Sequence, residues 1–285
     1  LPRIHGFELM MAPYTIAHLK LSMAFKKTGF IYFNDRLGIY LTNSLEDIEN
    51  QQGLFAFGFA ESIAQEFKEA SKIKKETPIM VVVGNPPYSV SSSNKGDWIT
   101  KQLNAYKQDL NERNIQPLSD DYIKFIRYAE HFIEKNKSGI VAMITNNSFI
   151  DGLIHRQMRK HLLETFDDIY ILDLHGNSKK KEKSPDGSKD ENVFDIMQGV
   201  SINIFIRKTE EKAGLGKIHH FDLYGAREEK FKFLDNNLIN TVDWTVLDYD
   251  NHSYYFVPKD FSLHVEYESH FKLNELFKVN TSGVK

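Results

Sequence analysis

Apolar residues in this chain form two kinds of pattern: short continuous runs, and longer stretches in which they recur every third or fourth position. Short runs rich in Val, Ile and Leu are typical of strands buried on both faces of a parallel sheet, and the periodic stretches are typical of amphipathic helices. The predicted strands span residues 3–9, 37–42, 79–83, 139–144, 168–174, 200–206 and 218–223. The first predicted helix begins near Pro13, and the others span 54–72, 97–112, 120–135, 155–164 and 227–238.

Strands separated by helices predict an α/β fold with a mostly parallel, doubly wound sheet. The strands at 168–174 and 200–206 have no predicted helix between them, so we expect one of the two to run antiparallel. The first predicted helix has an apolar stripe, formed by Ile16, Leu19, Leu21, Met23 and Ala24.

Composition narrows the class of protein without naming a function. A chain of 285 residues suits one large or two smaller domains. It has no cysteine, which excludes a disulfide framework and a thiolate metal site, and its 11 histidines show no ligand spacing that predicts a metal. Because we find neither an apolar run of about 18 residues nor a signal peptide, we expect a cytoplasmic protein with no membrane contact.

Net charge argues against a free-standing DNA-binding protein. The chain carries a formal charge of −3 and has a pI near 6.4, whereas such proteins normally present a basic face. Either the basic residues are clustered, or the main DNA-binding surface lies in polypeptide outside this chain.

The segment IMVVVGNPPYS, at residues 79–89, is the most informative part of the chain. Its apolar run predicts a strand buried on both faces, and Pro86 and Pro87 force the chain out of the sheet because proline cannot donate to a ladder. Loops at the carboxyl ends of strands bind ligands in open α/β sheets. We therefore expect Asn85, the two prolines and Tyr88 to lie at a ligand site.

These residues are suited to binding an amino group on a planar base. If the Asn85 side-chain oxygen and the Pro86 carbonyl both accept hydrogen bonds from an aromatic NH2, its lone pair turns towards an incoming methyl group, and no strong base is needed. Tyr88 offers a face on which a flipped base can stack. The simpler interpretation is a strand followed by an ordinary proline turn.

NPPY after an apolar strand resembles the catalytic motif of amino-group methyltransferases that use S-adenosylmethionine, above all the adenine-N6 DNA methyltransferases. Over roughly residues 1–270, the chain resembles the methyltransferase region of large single-chain restriction–modification enzymes of the type ISP and type IIG group. The segments that carry this resemblance are IHGFELMMAPYTIAHLKL (4–21), YLTNSLED (40–47), ITNNSFIDG (144–152) and the lysine-rich stretch with the strand after it (173–208).

The resemblance implies a Rossmann-like methyltransferase fold with one reversed strand and S-adenosylmethionine as cofactor. Glu8, at the end of the first strand, would accept the ribose hydroxyls, although from the residues alone a solvated glutamate is favoured. Asn43 stands where the family commonly has an aspartate, and its amide oxygen can accept the same hydrogen bond from the cofactor adenine. Met10 and Pro13 would form part of the adenine pocket wall, with a core role as the alternative.

One feature of the family has no match in the sequence. The glycine-rich loop that holds the methionine part of the cofactor should precede Glu8, where only residues 1–7 stand, and the glycines at 214 and 216 are better interpreted as a turn. We therefore expect a fragment that is truncated at its N-terminus, binds the cofactor weakly or not at all, and is inactive by itself.

The polar stretch 176–192 could contact DNA phosphates, which gives affinity without sequence information; the alternative is a solvated mobile loop. Its candidate contacts are Lys179, Lys180, Lys181 and Lys183. By resemblance, Phe194 would pack on the flipped adenine opposite Tyr88, although a core phenylalanine is equally expected. Asn146 and Asn147 either line the pocket or cap the next turn.

The sequence therefore predicts part of a site-specific DNA methyltransferase that transfers a methyl group to adenine N6 by base flipping. Residues 1–208 form the predicted catalytic core, and 209–285 form a mixed α/β segment leading to a target-recognition domain outside this chain. Predicted partners are double-stranded DNA and further domains of the parent polypeptide, including helicase, nuclease and target-recognition domains. The alternatives are a methyltransferase acting on a protein glutamine amide and a non-catalytic DNA-binding or assembly module.

Overall fold

A computed structural model describes residues 3–30, 36–46, 60–89, 92–209, 212 and 214–271. Its strands are β1 (Gly6–Glu8), β2 (Ile39–Leu41), β3 (Val81–Gly84), β4 (Gly139–Asn146), β5 (Asp168–Asp173), β6 (Val200–Arg207), β7 (Lys217–Asp222) and β8 (Thr245–Leu247). Its helices are α1 (Met11–Lys27), α2 (Ala60–Glu76), α3 (Asp97–Gln102), α4 (Asn104–Lys107), α5 (Asp121–Asn136), α6 (Ser148–Asp151), α7 (Arg156–Thr165), α8 (Arg227–Asn236) and α9 (His264–Ser269). Residues 54–59 of the predicted helix 54–72 lie outside the described residues. Among the described residues, none of the helices has the length and hydrophobicity that a membrane span requires.

Six strands form one sheet in the order β3-β4-β6-β5-β7-β8. Strand β6 runs antiparallel to both β4 and β5, while β3 pairs with β4 and β5 pairs with β7 in parallel. The predicted α/β fold, mostly parallel with a reversed strand after 168–174, is therefore confirmed. The edge strand β8 is also antiparallel, and it was not predicted because its three residues are too few to show a periodic pattern.

One face of this sheet holds the main apolar core. Helices α5 and α7 pack there, and Val141, Ile169 and Phe205 of the central strands are completely buried. Helix α5 presents apolar side chains at the spacing of one helical face, and its last turn ends at Lys137 in the left-handed conformation (φ 61°). The same helix reaches the NPPY loop with its first turn, so the core and the candidate site share one rigid element.

The opposite face of the sheet is uncovered at β3. Val81 and Val83 are 58% and 75% exposed, and Ile140 beside them is 37% exposed. The prediction of a strand buried on both faces is therefore wrong for β3. The physical reason is its place in the fold, because β3 is an edge strand and only its Val82 side packs against the core.

Strands β1 and β2 form a separate parallel pair. Leu45, just after β2, joins this pair to the rest of the molecule by packing against Ile99 and Tyr128. Helix α1 has no buried residue, and its predicted apolar stripe lies at the surface, with Ile16, Leu19 and Met23 all at least half exposed.

The predicted helix 97–112 is two short helices, α3 and α4. Helix α4 ends before the predicted end at residue 112 because Gln108 is extended and Asp109 adopts a positive φ of 55°. Aspartate tolerates this conformation better than most residues. Beyond residue 208, β7 and β8 continue the same sheet. The division of the chain into domains at that residue remains a prediction.

Candidate functional site

A cavity of about 560 Å³ is lined by all of β1 and β3 and by the residues that follow β1, β2 and β3 at their carboxyl ends. Several of the sequence-predicted residues line it together: Glu8, Met10, Asn43, Asn85, Pro86 and Pro87. Pro13, Tyr88, Phe194 and the four lysines do not line it. The structure thus brings the predicted cofactor residues Glu8, Met10 and Asn43 and the NPP turn to one cavity.

The NPP turn presents free hydrogen-bonding groups at the cavity. Asn85 is exposed, and its side chain makes no hydrogen bond to any other described residue. Pro86 is buried while Pro87 is exposed, so the turn is held from one side only. An amide oxygen and a proline carbonyl can both accept hydrogen bonds here from a ligand.

Tyr88 is held firmly beside the turn. Its ring packs edge-on against Tyr122 with centroids 6.1 Å apart, and its hydroxyl lies 3.5 Å from the carbonyl of Ile144. Burial raises the pKa of Tyr88 to about 12, so the phenol is neutral at physiological pH. Ser89 N donates to Asp120 Oδ1 at 2.7 Å, which fixes the exit of the loop to the start of α5.

A polar cluster, formed by the buried residues Ser92, Asp121 and Lys124 and the half-buried Asn94, acts as a clamp that fixes the segment after NPPYS to α5. Lys124 Nζ donates to Ser92 Oγ and to the Asn94 carbonyl, both at 2.6 Å, and Asn94 Nδ2 donates to Asp121 Oδ1 at 3.1 Å. Sequence reasoning missed this cluster, whose signal is a polar run just after the proline turn. The clamp fixes the loop to α5 independently of any ligand.

The same cluster reaches the predicted cofactor residue Asn43. Asn43 Nδ2 donates to Asn94 Oδ1 at 3.3 Å, and Asn43 Oδ1 accepts from Leu45 N at 3.0 Å. Glu8 accepts from Met10 N at 2.9 Å through one carboxylate oxygen. The second Glu8 oxygen and the remaining lone pair of the Asn43 amide oxygen are available to a ligand.

Phe194 and Tyr88 pack against one apolar cluster, which includes Leu172, Leu174 and Val200. Phe194 is half-buried, and its backbone N donates to Asn192 Oδ1 at 2.8 Å. The two aromatic rings are therefore on a common support, but within the described residues they make no direct ring contact with each other.

The lysine-rich stretch, residues 176–192, is anchored to the fold by Lys230, whereas its own candidate DNA contacts are exposed. Lys230 is completely buried and donates to the carbonyls of Leu174 and Glu191, both at 2.7 Å, while pairing with Asp190 at 2.8 Å. The candidate phosphate contacts are all exposed: Lys179, Lys180, Lys181 and Lys183.

Asn146 and Asn147 serve the turn after β4 and do not line the cavity. Asn146 Oδ1 accepts hydrogen bonds from the backbone N and hydroxyl of Ser148, at 2.8 and 2.6 Å. Asn147 Nδ2 donates to Asp173 Oδ1 at 2.9 Å. The structure shows the capping role for Asn146 only, because the Asn147 side chain makes no cap hydrogen bond.

His175 is buried and is the centre of an ion-pair network at the ends of β5 and β7 that sequence reasoning missed. Its Nε2 lies 2.8 Å from Asp222 and its Nδ1 lies 3.0 Å from Glu182, while the Tyr224 ring stacks on it at 3.8 Å. Burial acts to lower the pKa of His175, but the hydrogen bonds to these two carboxylates outweigh it and raise the pKa to about 9. The imidazole is therefore protonated at neutral pH.

Two groups of side chains place possible metal ligands within 4.8 Å of one another: Asp173, His175 and Asp222, and Glu130, Glu134 and His161. Hydrogen bonding to carboxylates raises the pKa of both histidines against the effect of burial. In both groups the histidine ring is hydrogen-bonded to carboxylates, which is the arrangement of an ion-pair network.

The His175 network predicts a loss of stability at alkaline pH. Because the pKa of His175 is about 9 in the folded chain and near 6.5 when unfolded, its contribution is complete below pH 6.5 and disappears as the pH rises through 9. We expect the free energy of unfolding in urea to fall by about 2–3 kcal/mol between these limits. A His175→Gln variant lacks this titration, so an equal pH dependence in both proteins would contradict the prediction.

Comparisons with known proteins identify the family of this chain. Residues 3–180 match the family model described as Eco57I restriction-modification methylase. Among curated protein sequences, none matches the chain.

Three solved structures share the fold over most of the chain. The ATP-dependent type ISP restriction-modification enzyme LlaBIII bound to DNA is 29% identical with a TM-score of 0.75, and the match covers 88% of this chain and 17% of that one. The DrdV–DNA complex is 25% identical with a TM-score of 0.74, covering 90% and 25% of the two chains. A nuclease-deletion mutant of the type ISP enzyme LlaGI, in complex with a DNA substrate mimic, has the same fold at 22% identity and a TM-score of 0.75, covering 92% and 25%.

The chain thus spans at most a quarter of the length of these three enzymes. The family match covers well over half of the chain and includes the first strand, the NPPY turn and all of the cavity-lining residues named above. The chain belongs to the Eco57I restriction-modification methylase family.

Proposed function

We propose that this chain is the catalytic part of a DNA methyltransferase in a restriction–modification system, and that it directs a methyl group from S-adenosylmethionine to adenine N6. The observation that carries the proposal is the Asn85 side chain, which is exposed at the rim of the cavity with no hydrogen-bond partner among the described residues. Polar groups without a structural partner, converging on one cavity, are typical of a ligand site.

The residues on the β1–β2 side of the cavity fit the nucleoside part of the methyl donor. The free Glu8 oxygen would accept a ribose hydroxyl, and the Asn43 amide oxygen would accept a hydrogen bond from the cofactor's amino group. Met10 lines the same wall, whereas Pro13 lies just outside it. When bound, S-adenosylmethionine supplies an electrophilic methyl group.

The residues on the β3 side fit the acceptor amine. The Asn85 side-chain oxygen and the Pro86 carbonyl would each accept a hydrogen bond from one N–H of the adenine N6 amino group. These hydrogen bonds draw the nitrogen towards tetrahedral geometry and free its lone pair. The proline turn restricts the backbone that carries both acceptors, and the Ser92–Lys124 clamp fixes the segment after it. Tyr88, neutral and fixed against Tyr122, would stack on the flipped base.

Phe194 is proposed as the second aromatic wall of the base pocket. Its support by the same apolar cluster as Tyr88, without direct ring contact, is compatible with a flat ring entering between the two. A flipped adenine placed there is extruded from its duplex, which costs a few kcal/mol that stacking on both rings offsets.

The exposed lysines are proposed to contact the DNA backbone. Each phosphate contact contributes about 0.9 to the slope of log affinity against log salt concentration. Replacing Lys179, Lys180, Lys181 and Lys183 together by alanine should therefore lower the slope by up to about 3–4 and weaken binding to all sequences alike. Fluorescence anisotropy with labelled duplexes over a salt series measures both quantities.

The matched control for this prediction replaces Lys26 and Lys27, which are exposed at the end of α1 and far along the chain from the lysine-rich stretch. That variant should keep the parent slope. If the quadruple variant also keeps it, the lysine-rich stretch does not bind DNA.

The proposed reaction is tested by incubating the full-length polypeptide that carries this chain with S-adenosylmethionine labelled in its methyl group and with duplex DNA. We expect label in DNA, recovered after digestion as N6-methyladenine. Label in another base would overturn the adenine assignment. Label that stays out of DNA and enters a protein acceptor would support a glutamine-amide methyltransferase, and label in neither would support a binding module.

A further inference from the structure

A second recess, which we call the α3–α5 groove, lies beside the segment that follows NPPYS. It has a volume of about 590 Å³ and is lined by that segment, by α3, α4 and α5, and by the turn at 116–119. Its described lining consists of three lysines, three hydroxyl-bearing residues, two amides and one leucine, with no aspartate or glutamate. Asn94 lines both this groove and the cavity of about 560 Å³, so the two recesses adjoin.

Three lysines from three separate segments meet at the groove. Lys124 is buried on α5, Lys107 is half-buried at the end of α4, and Lys95 is exposed in the segment after NPPYS. Like charges that share a recess repel one another, and the repulsion grows as burial removes the screening water. Such an arrangement lowers stability unless an anion offsets the positive charge.

A single ion pair offsets part of this charge. Lys124 Nζ lies 3.5 Å from Asp121 Oδ1, and this is the one ion pair that the three lysines make with a described residue. The same Asp121 oxygen accepts hydrogen bonds from Ser92 Oγ and Asn94 Nδ2. Two of the three lysine charges, those of Lys95 and Lys107, therefore have no counterion among the described residues.

The charge of Lys107 has the least support. Its Nζ donates to Ser119 Oγ at 3.1 Å, which is an uncharged partner. Burial lowers the pKa of Lys107, and the positive charge of Lys124 lowers it further; within the described part of the chain, no carboxylate acts in the opposite direction. Burial likewise lowers the pKa of Lys124, in spite of the attraction of Asp121. An anion bound in the groove would offset both effects.

The other polar groups of the groove suit an anion that accepts hydrogen bonds. The Thr100 hydroxyl and the Gln116 side-chain amide are exposed, and neither makes a side-chain hydrogen bond to any other described residue. Ammonium, hydroxyl and amide donors are the groups that bind phosphate oxygens in proteins. The lining therefore favours a phosphate over an apolar or cationic ligand.

We propose that the α3–α5 groove is a phosphate-binding site, in which Lys95 and Lys107 contact the phosphate oxygens and Lys124 adds positive charge. The phosphate group belongs to the DNA backbone or to a free phosphate compound, because both sources offer the same kind of acceptor oxygen. Occupancy of the groove does not depend on the proposed methyl transfer, so either proposal can fail without the other.

The first experiment measures acylation of individual lysines in the full-length polypeptide that carries this chain, with N-acetoxysuccinimide as reagent and mass spectrometry as readout. A titration with inorganic phosphate should slow the acylation of Lys95 and Lys107 roughly tenfold or more, because an ammonium group that donates to phosphate is withdrawn from the reagent. Lys101, which is exposed on α3 and does not line the groove, is the matched control and should react at an unchanged rate. Sodium acetate at the same ionic strength should protect none of the three.

The second experiment identifies the source of the phosphate. Lys107→Gln removes the charge and keeps a polar side chain, so its circular dichroism spectrum should match that of the parent. If the groove takes a backbone phosphate, this variant should lower the slope of log affinity for duplex DNA against log salt concentration by about 1. Lys101→Gln should keep the parent slope.

The outcomes of the two experiments are distinct. A lowered slope assigns the groove to a DNA phosphate, and protection by inorganic phosphate with an unchanged slope assigns it to a free phosphate compound. The proposal is overturned if inorganic phosphate protects neither Lys95 nor Lys107 and the slope is unchanged. Equal protection by acetate, with an unchanged slope, also overturns it, because the groove then has no preference for phosphate.

Discussion

Replacing Asn85 by alanine is expected to lower the rate of methyl transfer by about 10²–10³-fold, the loss typical of removing one preorganised hydrogen-bonding group that acts in the transition state. The structural reason is that this side chain has no partner within the described part of the chain and borders the cavity, so its removal leaves the fold intact. The measurement is single-turnover methylation of duplex DNA by the full-length polypeptide, with saturating S-adenosylmethionine.

Two controls separate the chemistry from folding and from base flipping. Asn85→Asp keeps an acceptor oxygen at the same place and should retain more activity than Asn85→Ala. A duplex with 2-aminopurine at the target position should still brighten with the alanine variant, since Tyr88 and its supports are untouched. If Asn85→Ala keeps its rate within threefold, the NPPY turn is a structural turn and the proposed mechanism is wrong.

Replacing Lys230 by methionine is expected to destabilise the chain by about 3–5 kcal/mol, because it leaves the Asp190 carboxylate buried without its cation. Both side chains of this pair are completely buried and lie 2.8 Å apart. Asp190 also accepts hydrogen bonds from the backbone of Gly176 and Gly225, at 2.6 and 2.8 Å, so the loss reaches the start of the lysine-rich stretch and the turn before α8. Urea unfolding of the isolated chain measures the change.

The matched control is the double variant Lys230→Met with Asp190→Asn. It removes both charges, and the asparagine can still accept one backbone hydrogen bond, so the double variant should be more stable than Lys230→Met alone. A single variant that loses less than about 1 kcal/mol, near the value of an exposed ion pair, would show that the pair is not the anchor of this stretch.

The strand–helix alternation and the reversal of one of the strands at 168–174 and 200–206 were predictable because both depend on local pattern, including the lack of a helical pattern between these strands. The turn at Asn85 to Tyr88 was predictable for the same reason, since proline acts on its own backbone. The exposure of Val81 and Val83 was not, because burial depends on which elements cover a strand and not on its own residues.

The buried lysine contacts that hold the segments around the candidate site were not predicted either, for a different reason. Lys124 reaches Ser92 across 32 positions of the chain, and Lys230 reaches Glu191 across 39. A single sequence shows only that these lysines stand in helices with mixed polarity. Buried hydrogen bonds of this kind arise from the packing of distant segments, so only the fold reveals them.

The reversed strand β6 has a consequence for synthesis on the ribosome. It lies between β4 and β5 and pairs with both, yet it is the last of the three to be made, ending at residue 207. Until then β4 and β5 have no shared partner, and the growing chain holds β3 and β4 without any strand that pairs with β5. Closure of this sheet must therefore wait for residues 200–207, and translation pausing before them would prolong the time during which the nascent chain depends on chaperones.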